Sequence, residues 1–226
     1  MGSVRKILVV VCLALAGAGL EGLAQAPPDA AALAARVQQR YTGLKDFQGD
    51  FVQVYEGGVL RTKTTERGTV SIKRPGKMRF LYTKPERKEF VSDGTRLYTY
   101  LVADKQVIVG PAPGPNDGTI PALFLAGQGD IARDYIPMFT PLPGAAPGLI
   151  TVKLTPKKAD PDYEWLGIGI DPKSAQIQYL VAADRQGGKS SFAFSNLKEN
   201  RGLADKDFEF RMPRGVDVVT NGTRAR

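Results

Sequence analysis

Asp160, Asp162 and Glu164 gather three carboxylates at the entry to a short apolar run, and paired carboxylates would offer acid–base chemistry of the glycosidase kind. Acids at such a loop end are ordinarily solvated. The sequence contains no histidine, and its only cysteine is Cys12. That excludes Ser-His-Asp and Cys-His nucleophiles, and zinc sites of the usual kinds. A G-x-S-x-G elbow, a phosphate-binding loop and an H-E-x-x-H motif are all absent. The residues point to no enzyme and no cofactor. What stands out instead is the number of apolar residues that alternate with polar ones, which is the mark of a binding or packing face.

Arg5 and Lys6 precede an apolar run over residues 7–20, and small residues follow it, as in a secretory signal peptide. The run falls short of the ~20 residues needed to span a bilayer. Residues 1–24 are therefore expected to be removed by cleavage after Ala24, with Ala26 as the other candidate. A single domain over 25–226 is left, with a frayed tail from Asn221. Cys12 lies within the leader behind Val11, not behind a small residue, so it does not read as an acylation site. The exported chain then has no disulfide, and packing alone must hold it. Lys and Arg number 31 against 23 Asp and Glu, a net charge of +8 that becomes +7 once Arg5, Lys6 and Glu21 leave with the leader. For an exported chain, anionic head groups or acidic protein surfaces are the expected counterparts, not nucleic acid. A basic surface that only aids solubility is the alternative.

The positioning elements follow from periodicity. Residues 29–44 carry Leu33, Val37, Tyr41 and Leu44 on one stripe with Ala30 and Ala34, with Asp29 as N-cap and Gly43 at the end. Strands are expected at 47–55 and 59–65, joined across Glu56-Gly57-Gly58. Val70 and Ile72 alternate with Thr69, Ser71 and Lys73, and Pro75-Gly76 turns the chain into a strand with Met78, Phe80 and Tyr82 on one face. Pro85 breaks that strand; 89–92 forms another, Asp93-Gly94 turns into 96–101, and 106–110 closes an antiparallel meander. A Pro/Gly-rich loop at 111–118 leads to short helices at 120–126 and 131–136, the second capped by Asp130. The segment through Pro137, Pro141, Pro143 and Pro147 reads as loop. Strands at 149–157, 163–171, 177–184, 189–196 and 208–212 complete a mainly β domain of about ten strands with added helices, without repeats.

The ordered set GTVSIKRPGKMRFLY (68–82) and FVSDGTRLYTY (90–100) resembles the signature of the LolA-type outer-membrane lipoprotein carriers, which ferry triacylated lipoproteins across the periplasm. FQGDFVQVYEGG (47–58) is similar to that family's F-x-x-x-F-x-Q strand. IPALFLAGQGDI (120–131), LTPKK (154–158) and DFEFRMPRGVDVV (207–219) follow in the family's order, so the resemblance covers nearly the whole exported chain.

The resemblance implies an unclosed, strongly curved antiparallel β-barrel of about ten to eleven strands, capped by the N-terminal helix and a short helical insert. It implies a monomeric periplasmic carrier without a cofactor, with acylated lipoproteins as cargo. An inner-membrane lipoprotein-releasing ABC transporter would be the donor, and an outer-membrane LolB-like receptor, where present, the acceptor. Val70, Ile72, Met78, Phe80, Tyr82, Phe90, Leu166, Ile168, Ile170, Tyr179, Phe192 and Phe194 are assigned to the concave face. On the residues alone they fit an ordinary packed core; the resemblance makes them the lining of an acyl cavity, with Leu33, Val37, Leu123, Phe124 and Leu125 as lid. A lipid or lipoprotein sensor, or a lipid transporter, would use the same cavity. A sensor would be expected to carry a further partner-binding domain. An enzyme acting on envelope lipid is weakened by the missing histidine.

The need for such a carrier is physical. At ~0.8 kcal/mol per buried CH₂, one chain of about 16 carbons holds to a membrane with roughly 13 kcal/mol, and three chains do not cross water unaided. A cavity partly filled by its own lid competes with the cargo and so allows release. Arg74 matches the arginine of the family's R-P motif, which the resemblance casts as a latch hydrogen-bonding lid-helix carbonyls. Its five donors in a fixed fork suit unpartnered helix-end carbonyls; a solvated arginine before a turn is the plainer reading. Met78 stands where many relatives carry an aromatic residue or leucine, and keeps the apolar role. The proline-rich stretches at 111–118 and 137–148 look longer or stiffer than usual. Lys73, Arg74, Lys77, Arg79, Lys84, Arg87 and Lys88 form a basic cluster, fit for an acidic partner or simply solvated.

Overall fold

Asp29 holds extended backbone angles, and its Oδ1 accepts from the Ala31 amide at 3.2 Å, opening helix α1 (Ala30–Thr42). The alanines favour the helix, and Ala30, Leu33, Ala34, Val37 and Tyr41 form its buried stripe. Gly43 ends it, with its N–H on the Tyr41 carbonyl. The computed structural model describes residues 29–58, 62–112, 130–160 and 163–220. The leader, the helix expected at 120–126 and the tail beyond 220 lie outside these residues.

Strands β1 (Asp46–Glu56), β2 (Lys63–Lys73), β3 (Lys77–Lys84), β4 (Lys88–Asp93), β5 (Arg96–Leu101) and β6 (Gln106–Pro111) form the antiparallel meander. Gly76 (φ +68) and Gly94 (φ +97) turn the β2–β3 and β4–β5 hairpins in conformations that a side chain would resist. A one-turn helix α2 (Ile131–Asp134) leads into β7 (Tyr135–Phe139), β8 (Ile150–Pro156), β9 (Trp165–Ile170), β10 (Ile177–Ala183) and β11 (Lys189–Glu199), with β12 (Asp217–Thr220) last. The described strands make one twelve-stranded sheet in the order β12-β6-β5-β4-β3-β2-β1-β11-β10-β9-β8-β7. β12 and β7 are its two ends and do not pair, so the curved sheet is unclosed. α1 packs on its concave face, where α1, β1–β3 and β8–β11 contribute to one buried cluster.

Four local expectations are corrected. Residues 63–73 form one strand, not the close of one strand and the start of another: β2 pairs with β1 without interruption from Lys63 to Lys73. The helix expected at 131–136 stops at Asp134, and Tyr135–Phe139 is a strand within what reads as loop. Pro137 is tolerated there because β7 is an edge strand. The strand expected at 208–212 is instead a 3₁₀ turn, Asp205–Phe208, with irregular chain after it. Finally, β12 pairs in parallel with β6, a strand that local periodicity did not mark.

The segment after β11 lies as a strap across the outer face of the meander. Arg79, Val91 and Tyr98 stand side by side in register there. Phe208 is fully buried, and Phe210 stacks on Tyr98 with centroids 5.0 Å apart and planes at 14°. Lys73 Nζ donates to the Leu203 carbonyl at 2.7 Å and Arg79 to that of Glu209 at 3.1 Å. The period-2 spacing of Phe208 and Phe210 therefore reflects packing down onto a sheet, while side chains, not a neighbouring strand, meet two of the strap's carbonyls.

Candidate functional site

The concave face is built from alternate residues of neighbouring strands. Val70 and Ile72 from β2 pair with Phe80 and Met78 from β3, and Phe80 pairs with Phe90 from β4. Across β1 stand Phe192 and Phe194 from β11, and beyond them Leu166, Ile168 and Ile170 from β9. All of these belong to one apolar cluster, with Phe90 half-buried at its margin. Leu33 and Val37 of α1 lie in the same cluster, so α1 covers this face. Leu123, Phe124 and Leu125 lie outside the described residues.

Phe51 is the residue that sequence reasoning missed, although the F-x-x-x-F spacing with Phe47 signalled it. Its ring stands 5.5 Å from Phe80, 4.9 Å from Tyr82 and 5.8 Å from Phe192, edge-on or tilted to each. Phe80 meets Phe192 at 6.2 Å and Tyr82 meets Phe90 at 5.6 Å, so the rings form a connected aromatic floor. Aromatic rings offer flat apolar area with few rotatable bonds, which suits contact with a flexible hydrocarbon.

Tyr179 is not on this face, which corrects its assignment. A bulge between Ile177 and Tyr179 adds a residue to β10 relative to β9, and everything after it changes sides. Ile177 and Leu180 therefore face the main cluster, while Tyr179 and Val181 join Leu142 in a separate cluster on the opposite face. The Tyr179 hydroxyl donates to the Pro143 carbonyl at 2.9 Å, tying down the 140–149 segment. Gly167 and Gly169 make room there: a Cβ on Gly167 would sit 2.7 Å from Leu142, and one on Gly169 3.1 Å from Leu149.

Arg74 follows β2 at the hairpin, and its backbone N–H donates to the Lys45 carbonyl at 2.9 Å. Its guanidinium is half-buried, and Nε is covered without a hydrogen-bond partner among the described residues. Burial lowers its pKa from the ordinary arginine value, and the nearby Tyr41 phenol opposes that weakly. Tyr41 is itself buried; its hydroxyl accepts from the Ile177 amide at 3.0 Å, and burial pushes its pKa up. Arg40 pairs with Glu199, and Arg36 donates to the Pro172 carbonyl at 3.4 Å, so the C-terminal half of α1 is fastened to β10, β11 and the turn before β10. The Gln38 side chain accepts from the Ile131 amide at 3.0 Å, joining α1 to α2.

Much of the basic cluster is already matched. Asp205 of the strap takes Lys73 at 2.7 Å and Lys77 at 3.0 Å, Glu89 takes Arg79 at 2.9 Å, and Glu66 takes Lys88 at 2.7 Å. The hydrogen bond from Lys73, then that from Lys77, holds the Asp205 carboxyl below its ordinary range. Lys84 and Arg87 are exposed. Of the candidate acids, Glu164 is exposed, the Asp160 carbonyl accepts from Arg185 at 2.7 Å, and Asp162 lies outside the described residues. Among the described residues no group of acids is placed to hold a metal ion, and no helix is long and apolar enough to cross a membrane.

Comparison with known proteins agrees with this architecture. Residues 42–211 match the family model described as "Outer membrane lipoprotein carrier protein LolA". An outer-membrane lipoprotein carrier protein of Cupriavidus taiwanensis is 32% identical over 218 residues, 95% of this chain and 98% of that one. One from Chromobacterium violaceum is 31% identical over 195 residues, 86% of this chain and 91% of that one. The crystal structure of an uncharacterized conserved protein from Thermus thermophilus shares the fold, with a TM-score of 0.52 at 12% identity, over 85% of this chain and 99% of that one.

Proposed function

This chain belongs to the LolA family of outer membrane lipoprotein carrier proteins, and on that premise we propose that it carries lipoproteins through the periplasm by sheltering their acyl chains. The aromatic concave face supports this reading most directly. An open sheet with a row of apolar rings on its inner side, covered by a helix, offers a hydrocarbon chain a surface shielded from water. No bond is made or broken. Cargo arrives from an inner-membrane lipoprotein-releasing ABC transporter and leaves for an outer-membrane LolB-like receptor because each successive binder holds the chains slightly better.

Arg74 is the latch in this reading. Its half-buried guanidinium, with Nε unpartnered among the described residues, sits beside the buried Tyr41 of α1. A cation kept partly out of water gains most from new carbonyl partners, and the ends of a closing lid helix supply them. Residues 1–24 direct export and are removed, leaving one domain.

The test is to purify the exported protein from its native envelope and identify what co-elutes by mass spectrometry. Triacylated N-terminal lipoprotein peptides are the expected finding. Free phospholipid in their place would move the function to lipid transport or sensing on the same fold. Nothing bound, even with Arg74→Leu, would reduce the concave face to a core.

A further inference from the structure

The concave face changes character at one end. Past Phe51, Tyr82 and Phe192 the inward positions of the same strands become Gln53, Ser190, Glu66 and Lys88, all half-buried. The Tyr82 hydroxyl donates to Gln53 Oε1 at 2.5 Å, and Gln53 Nε2 donates to Ser190 Oγ at 2.9 Å. Lys88 Nζ binds Glu66 Oε1 at 2.7 Å and Oε2 at 2.8 Å, and lies 4.4 Å above the Tyr82 ring. These groups form a polar belt across β11, β1, β2, β3 and β4. The opposite end of the face is apolar through Phe47, Ile72 and Met78, and is closed by the fastened end of α1.

The belt keeps donors in reserve. An ammonium has three N–H groups and Lys88 spends two on Glu66; an amide has two and Gln53 spends one on Ser190. The Ser190 hydroxyl accepts from Gln53 and keeps its own proton to donate. Each Glu66 oxygen and the Gln53 carbonyl accepts one hydrogen bond and has a second lone pair. Among the described residues the belt thus keeps N–H and O–H groups in reserve, and a carbonyl, which can only accept, is a ligand that uses them. Because Glu66 neutralises Lys88, it favours a neutral carbonyl over an anion.

We propose that Gln53, Ser190 and Lys88 seat the ester and amide carbonyls at the head of an acylated cargo, a reading that rests on the carrier function above. The carbonyls stand at the junction of chain and head, so each chain then lies over the Phe51, Phe80 and Phe192 rings with its end toward Met78 and α1. Belt and rings together fix which way the cargo enters.

The test measures binding of a synthetic triacylated lipopeptide and of an analogue whose two glyceryl chains are ether-linked and lack those carbonyls. Wild-type protein is expected to bind the ester form more tightly. Ser190→Ala, and the paired replacement Glu66→Met with Lys88→Met that leaves no lone carboxylate, should each weaken the ester form about fivefold. The ether form, which keeps only its amide carbonyl, should lose less than the ester form. Equal binding of both forms by wild type, with no effect of the variants, overturns the proposal and leaves the carrier reading standing. Equal weakening of both forms overturns it too, because the belt would then only shape the fold. Failure of wild type to bind either form removes the carrier reading and this proposal together.

Discussion

The ring of Phe51 lies on Gly68. The two residues are paired across β1 and β2, and a Cβ on Gly68 would stand 2.9 Å from Phe51 Cζ and 2.1 Å from the Leu81 carbonyl oxygen. The missing side chain lets the ring reach across β2 to Tyr82, which pairs with Gly68 from the other side. Glycine within a strand usually weakens it, and here it sets the depth of the aromatic floor. Gly68→Ala should destabilise the protein by about 1–3 kcal/mol through overpacking against backbone. Phe51→Ala should cost about 3–5 kcal/mol, because it opens a gap among Phe80, Tyr82 and Phe192. Urea denaturation of the two variants measures both; a neutral Gly68→Ala would mean that β3 yields easily at Leu81.

Arg74 separates latch from scaffold. A guanidinium that is half-buried, with an Nε unsatisfied among the described residues, adds little to the folded state. Arg74→Leu should therefore keep or raise the urea midpoint and still load cargo. Transfer to an acceptor should fall by about tenfold or more, the loss expected for a charge-assisted hydrogen bond worth about 1.5–3 kcal/mol. Arg74→Lys should recover only part, since an ammonium lacks the planar fork. A reconstituted transfer assay decides it, and normal transfer by Arg74→Leu would end the latch reading.

Local signals were legible, and residues displaced by non-local events were not. The stripe of α1 and the Asp29 cap depend on neighbours within a few positions, and they appear where the sequence places them. The alternation of Val70, Ile72, Met78, Phe80 and Tyr82 likewise carries straight into the concave face. Tyr179 fails because the bulge at β10 shifts parity by one, and nothing in the alternation of 177–184 announces an extra residue. Leu197 is turned inward in the same way by the irregularity where β11 passes Gly49. β7 hides behind Pro137, since the edge position that makes the proline harmless is a property of the whole sheet.

The β10 bulge makes opposite predictions for adjacent residues. Leu180 is fully buried in the main cluster, so Leu180→Ala should cost about 2–5 kcal/mol and alter the face that holds cargo. Tyr179→Phe loses one hydrogen bond to Pro143 on the far side, about 1 kcal/mol, and should leave cargo affinity unchanged. Denaturation and lipopeptide binding on the two variants check this. A fall in cargo affinity for Tyr179→Phe would return that side chain to the concave face.

The strap should respond to acid through Asp205. Lys73 and Lys77 hold its folded pKa below the ordinary carboxylate value of 3.8, so folding favours the ionised form. The stabilisation is fully present above that unfolded value and is lost as pH falls through the lower folded one. At neutral pH the strap stays fastened; as pH falls through the lowered folded value the carboxylate takes up a proton and the two lysines lose their partner. Because Asp205 is exposed, salt should weaken the contact at every pH. The Tyr98–Phe210 stack reports on the strap, so its near-ultraviolet dichroism should fade in acid while the far-ultraviolet strand signal persists. Asp205→Asn should show the faded signal already at neutral pH and lose this pH dependence. An Asp205→Asn signal equal to wild type at neutral pH would show that Phe208 and Phe210 anchor the strap without the ion pairs.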